Sequence, residues 1–131
     1  VVDDQIGSPT WCRSIAEATG HVISEHLREH IRLAKACLVV NSGLYNYCAV
    51  GETTWFGFAK AISLKCKVAS LQNDFDIIKI NSQEYGAIAI RPAYSAMSNG
   101  KFLSAFNQGI ASWNEQLDEC CKDLKQKLPV G

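Results

Sequence analysis

Residues 43–62, GLYNYCAVGETTWFGFAKAI, decide how the rest of the chain is read. Leu44 to Val50 is a short, mostly apolar run of the kind a buried strand requires. Gly51 ends it. Thr53 and Thr54 then stand where a helix needs an N-cap, and Trp55, Phe56, Phe58, Ala59 and Ile62 follow at helical spacing. A strand that runs through a glycine into a capped helix is an α/β unit, so this stretch sets the expected fold class.

The flanking segments extend the pattern. In VVDDQIGSPT, residues 1–10, Val1 to Asp3 predicts the end of a strand and Gly7-Ser8-Pro9 the turn that closes it. Thr10 is placed to cap a helix. Ile15, Ala18, Val22, Ile23, Leu27, Ile31 and Ala34 recur at helical spacing and predict one amphipathic helix over 11–36, with Gly20 as an internal weakness. Asn41-Ser42-Gly43 breaks it. Downstream, 66–74 fits either strand or loop, and FDIIKI at 75–80 predicts a strand. Turn formers and Pro92 predict a long ordered loop over 81–98. Ser98 is placed to cap a short helix through Phe106. Ser112-Trp113-Asn114-Glu115 forms an S-x-x-E capping box, opening a last helix with Trp113, Leu117, Cys120 and Leu124 on one side. The expectation is a small α/β layer of three or four strands with four helices, in a single domain spanning 1–131.

Composition narrows the function classes. The chain has 131 residues, 47% apolar and 20% charged, enough for one core. Thirteen basic side chains balance thirteen acidic ones, so charge makes no case for nucleic acid or an anionic membrane as partner. No apolar run approaches the roughly 20 residues of a membrane-spanning helix. The β-branched start, Val1-Val2, lacks the polar lead-in of most domains and predicts the interior of a longer protein. Six cysteines, at 12, 37, 48, 66, 120 and 121, contain no C-x-x-C pair. That spacing does not build a zinc tetrahedron; it predicts reduced, mostly buried thiols in a cytosolic protein.

Few side chains suggest chemistry directly. His21, His26 and His30 share one predicted helix, and His26 and His30 lie four apart on one face. No third ligand accompanies them, and Glu25 and Glu29 alternate with them as on a solvated face, so no metal is predicted. Asp3 and Asp4 point to opposite sides of an extended chain and read as a solvated turn. No G-x-x-x-x-G-K-[ST] or G-x-G-x-x-G motif is present. Arg91-Pro92-Ala93-Tyr94-Ser95 is the one candidate for anion recognition, because an arginine presents a planar fork suited to phosphate. Pairing of Arg91 with an acid such as Glu84 is the competing reading.

Three segments in one order alter this picture. VVDDQIGSPT with its following helix, GLYNYCAVGETTWFGFAKAI, and SQEYGAIAIRPAYSAMSNGKF at 82–102, joined by SWNEQL at 112–117, closely resemble the C-terminal part of dTDP-4-dehydrorhamnose reductases. The resemblance covers nearly the whole chain and is weakest over 63–81 and at the C-terminal end. Each of D-Q-x-G-x-P-T, G-x-x-x-W-x-x-F-A and R-P-x-Y-S is a modest signal; their order and separation make them specific.

The resemblance implies an extended short-chain dehydrogenase/reductase. Such proteins have an N-terminal Rossmann domain for NAD(P)H and a smaller C-terminal domain that holds a nucleotide-sugar. This chain would be the latter alone, the Rossmann domain absent. The implied reaction is reduction of a 4-keto sugar to dTDP-L-rhamnose by hydride from NADPH or NADH. The family's Tyr-x-x-x-Lys pair is not found, since Tyr45, Tyr47, Tyr85 and Tyr94 are followed four residues later by Ala49, Gly51, Ala89 and Ser98. The chain by itself is therefore expected to bind no dinucleotide and to transfer no hydride. Its implied partners are a dTDP-sugar and the missing Rossmann domain, with self-association through an exposed apolar patch.

Carried onto matching positions, Arg91 aligns with an arginine that contacts substrate diphosphate. Gln5, Gly7, Pro9 and Thr10 match a segment bordering the substrate cleft, although a turn and a helix cap explain Pro9 and Thr10 equally well. Tyr94 and Ser95 either line the nucleotide pocket or shape the loop. Trp55 is expected in the core. Ser14 stands where many relatives carry an acid, which puts a local hydrogen bond in doubt. The alternative is a reductase-like, non-catalytic regulatory or binding subunit, as in the regulatory subunit of methionine adenosyltransferase.

Overall fold

The computed structural model describes residues 1–33, 42–68 and 76–127. In chain order these form β1 (Ile6–Gly7), α1 (Cys12–Leu33), β2 (Thr53–Thr54), α2 (Trp55–Val68), α3 (Ser82–Tyr85), α4 (Gly100–Phe106) and α5 (Trp113–Lys127). The α/β class is as expected, but helix dominates: five helices stand where four were predicted, and the named strands are two residues each.

β1 and β2 pair antiparallel, Ile6 opposite Thr54 and Gly7 opposite Thr53. On the other side of β1 the 93–95 segment runs parallel to it. The Ile6 N–H donates to Ala93 O at 2.8 Å and the Ser95 N–H to Ile6 O at 2.9 Å. Gly7 belongs to this ladder rather than to a turn. A Cβ there would stand 2.9 Å from Ser95 Oγ, so the close passage of the two segments needs a glycine unless that hydroxyl moves.

The predicted strands at 1–3, 44–50 and 75–80 reduce to single bridges: Val2 with Ile80 and Val50 with Ser112, both parallel. Phe75 lies outside the described residues, as do 34–36 of the predicted first helix and 69–74 of the ambiguous segment. Residues 44–50 fail to make a strand because their backbone groups are claimed individually. The Cys48 N–H goes to Asn99 Oδ1 at 3.0 Å, the Ala49 N–H to the Thr10 hydroxyl at 2.9 Å and the Val50 N–H to Ala111 O at 3.1 Å. Apolarity marked the segment as buried, and Cys48 and Ala49 are, but ladder pairing needs one neighbouring strand and the fold supplies three separate acceptors.

The helix caps follow local chemistry. Thr54 caps α2, its hydroxyl accepting the Gly57 N–H at 3.0 Å while donating to the Asp3 carboxylate. Ser112 and Glu115 form the expected capping box on α5. A second box opens α3 inside the predicted loop, where Asn81 Oδ1 accepts the Glu84 N–H and Gly86, at φ 65°, closes the turn in the left-handed region. One predicted cap is not a cap: α1 starts at Cys12, and the Thr10 hydroxyl instead donates to Ser8 O at 2.9 Å. At α4 the N-cap position is Asn99, whose amide is turned away to clamp both backbone groups of Cys48, while the Ser98 hydroxyl accepts the Gly100 N–H at 3.2 Å.

Among the described residues the buried apolar set is Val2, Ala18, Cys48, Ala49, Phe102, Leu117 and Cys121. Aromatic contacts extend it: Tyr47 meets Phe102 edge-on at 5.0 Å, and Phe58 meets Trp113 at 6.0 Å where α2 packs against α5. The apolar side of α1 is not covered by the described residues. Ala18 is buried, but Ile15, Ile23, Leu27 and Ile31 are exposed. The thiols divide similarly, Cys48 and Cys121 buried, Cys120 half-buried and Cys12 exposed; Cys37 and the Cys66 side chain lie outside the described residues.

Candidate functional site

A cleft of about 280 Å³ opens where β1, the start of α1, β2 and the 93–97 segment converge. Three of the five expected site residues line it: Gln5, Thr10 and Ser95. The expected neighbours Gly7 and Pro9 also line it.

Each is held by long-range hydrogen bonds. Gln5 lies just before β1, and its Nε2 donates to Ser82 Oγ at 2.9 Å. The Thr10 hydroxyl bridges Ser8 O and the Ala49 N–H. Ser95 Oγ donates to Ile6 O at 3.1 Å. Ser8 adds a further tie, its hydroxyl donating to Gly51 O at 2.8 Å. The cleft wall is thus built from residues joined across the sequence rather than along it.

Arg91 and Tyr94 are not brought into this cleft. Arg91 is exposed. It does not pair with Glu84, whose carboxylate accepts the Asn81 N–H within the α3 capping box. Tyr94 is exposed too, its hydroxyl donating to the Glu52 carboxylate, and that partner holds the phenol above its ordinary titration range. Alternation along an extended segment explains the placement of Tyr94, since Ser95 turns toward β1 and its neighbour does not.

Trp55 is the main correction. Expected in the core, it is 55% exposed and lines the cleft at the first position of α2. Tyr47 and Met97 also line it and were not singled out from sequence. The only sequence signal for Trp55 was its position directly after Thr53-Thr54, because a first-turn residue need not follow the buried stripe of its helix.

The acids at the N-terminus are also placed differently from expectation. Asp3 is half-buried and joined to Lys79 and Thr54, and the Lys79 bond followed by the Thr54 bond holds its carboxyl below the usual range. Asp4 accepts the Ser82 hydroxyl at 2.7 Å and the Ser82 N–H at 2.9 Å, which lowers it likewise. These carboxylates tie the N-terminal segment to 79–82 instead of forming a solvated turn. Ser14, the one departure from the family pattern, retains a local bond: its hydroxyl lies 2.9 Å from the Tyr47 hydroxyl. No group of three or more His, Cys, Asp or Glu that could hold a metal occurs among the described residues, and the His30 side chain lies outside them. No described helix is long and apolar enough to cross a membrane.

Among the described residues no charged side chain lines the cleft. A nicotinamide dinucleotide carries phosphates that need cations or a glycine-rich loop at a helix start, and the described lining of this cleft supplies neither.

Comparison with known proteins gives a consistent result. The chain is 34% identical over 127 residues to a dTDP-4-dehydrorhamnose reductase of Burkholderia thailandensis, covering 95% of this chain and 41% of that protein. It is 31% identical over 121 residues to the spore coat polysaccharide biosynthesis protein SpsK of Bacillus subtilis, covering 91% and 35%. Among solved structures it is similar to the dTDP-4-dehydrorhamnose reductase of Bacillus anthracis in complex with NADP. That match has TM-score 0.67 and 30% identity, and covers 91% of this chain and 36% of that one. The reductase from Clostridium acetobutylicum superposes with TM-score 0.73 at 26% identity, covering 96% and 38%. The chain therefore spans well under half the length of these relatives. Residues 1–126 match the family described as the RmlD substrate binding domain, and the chain belongs to that family.

Proposed function

We propose that this chain is the sugar-nucleotide-binding part of an NAD(P)H-dependent dTDP-4-dehydrorhamnose reductase and is not catalytic alone. Gln5, Thr10 and Ser95 contact the ligand in the cleft, Arg91 receives its diphosphate, and Tyr94 borders the site. The observation that carries this reading is the convergence of Gln5 and Thr10 with Ser95, about 85 residues away in sequence, on one cleft that no described charged side chain lines. NADPH or NADH, when bound to the full protein, supplies the hydride from a Rossmann domain outside this chain. This chain's own contribution is to bind and orient the sugar. The setting is cytosolic, and the chain alone self-associates through its uncovered apolar surface.

The test is calorimetric titration of the chain with dTDP-L-rhamnose. Weak but measurable binding, lost in Arg91→Ala, is expected. Binding unchanged in that variant overturns the phosphate role, and no binding by the wild-type chain overturns the reading as a whole.

A further inference from the structure

We infer that the cleft is the sugar-ring subsite of this site, with the Trp55 indole as its stacking wall and the diphosphate held outside it; this rests on the proposed sugar-nucleotide function. Four observations lead there.

The first is charge. Among the described residues the lining carries no ionised side chain, and a diphosphate buried in such a place would stay unpaired at high cost. Arg91 lies outside the lining.

The second is size. At about 280 Å³ the cleft falls just below the roughly 300 Å³ at which pockets for drug-sized ligands begin. It suits one six-membered ring rather than a whole nucleotide-sugar.

The third is Trp55 itself. A side chain of this size usually gains by burial, yet Trp55 stays 55% exposed and lines the cleft. It follows directly on Thr54, whose hydroxyl is fixed both to the Gly57 N–H and to Asp3. Its backbone is therefore rigid, which lowers the entropy lost when a ligand stacks on the ring.

The fourth separates sugar from base. The hydroxyl donors of the lining are spent, Ser8 on Gly51 O, Thr10 on Ser8 O and Ser95 on Ile6 O, and the Gln5 amide gives one proton to Ser82 Oγ. Gln5 Oε1 accepts nothing among the described residues. Beyond the Trp55 indole N–H and the second Gln5 amide proton, the cleft offers acceptors and an aromatic face. Sugar hydroxyls donate to such acceptors and pyranose C–H faces stack, whereas the two carbonyls of thymine can only accept.

The experiment titrates wild type, Trp55→Ala and Trp55→Phe with dTDP-L-rhamnose and with dTDP, by calorimetry. Trp55→Ala is expected to weaken dTDP-L-rhamnose about tenfold and to leave dTDP unchanged, with Trp55→Phe recovering most of the loss. Equal loss for dTDP overturns the sugar assignment, and no loss for either overturns the stacking wall. The Trp55 part of the fluorescence, wild type minus Trp55→Phe, gives a second readout among the three tryptophans. It is expected to change on adding dTDP-L-rhamnose and not on adding dTDP; the reverse order overturns the inference. Loss of binding in Arg91→Ala with none in Trp55→Ala removes this inference alone, while a wild-type chain that binds neither ligand removes the underlying function with it.

Discussion

The hydroxyl of Thr10 accepts the N–H of Ala49 at 2.9 Å while donating to Ser8 O at the same distance. This one side chain joins the segment after β1 to the buried stretch before β2, because Ala49 is 1% exposed and has no water to bond. Thr10→Val keeps the shape and removes both bonds. It should cost about 1–3 kcal/mol, the penalty for an unsatisfied buried donor, while Thr10→Ser should recover most of it. Urea denaturation of the three chains measures this.

Gln116 makes a similar junction that the sequence reading did not anticipate. It is 4% exposed, its Oε1 accepting the Trp11 N–H at 2.9 Å and its Nε2 donating to Ala111 O at 2.9 Å. The entry to α1 is thus held by α5. Gln116→Leu should lower stability by about 2 kcal/mol, with a drop in Tm visible by circular dichroism. A Tm equal to wild type would show that the entry to α1 is held by other means.

Asp3 and Asp4 set the acid limb of stability. Both carboxyls titrate below their ordinary range, Asp3 chiefly through Lys79 and then Thr54, Asp4 through Ser82. A depressed folded value means the stabilisation is complete above the unfolded pKa and is lost as pH falls through the folded one. Stability from these groups should be level from neutral pH down to about 5 and decline below about 4. Asp3→Asn should make that decline shallower, which denaturant midpoints measured across the acid range will show.

Tyr94 and Glu52 form the opposite case. The carboxylate accepts the phenol proton and so favours the neutral tyrosine, raising its pKa. Difference titration by ultraviolet absorbance, wild type against Tyr94→Phe, should place this phenol above the ordinary value of a free tyrosine. Glu52→Gln should bring it down. A Tyr94 that titrates at that ordinary value would show that the pair does not persist in solution.

The uncovered Ile23, Leu27 and Ile31, spaced four residues apart along α1, form an apolar strip of the sort that drives association. Sedimentation velocity should find species larger than the monomer at high concentration, and Leu27→Glu should dissolve them. A clean monomer throughout would remove α1 as a contact face.

Much of the helical content was legible in sequence, because caps and helical periodicity act over a few residues. The S-x-x-E box at 112–115, the threonine cap before Trp55 and the row from Ile15 to Ile31 all depend on neighbours within two turns. The Asn81-to-Glu84 box is equally local, but it lies in a stretch whose turn formers and Pro92 predict loop throughout 81–98. Three of the expected cleft residues were found through family motifs, not through periodicity, since nothing local marks Gln5 or Ser95 as facing a cleft.

The sequence by itself determined four of the five described helices, the α/β class and the family, each encoded in short-range pattern or in the order of motifs. Only the tertiary structure decided that 44–50 is no strand, that Thr10 pins Ala49 instead of capping α1, and that Trp55 opens to the cleft while Arg91 and Tyr94 stand outside it. The physical reason is common to all of these. A backbone group or an aromatic ring takes whichever partner the fold brings near, and those partners, Asn99, Ala111 and Glu52 among them, lie tens of residues away.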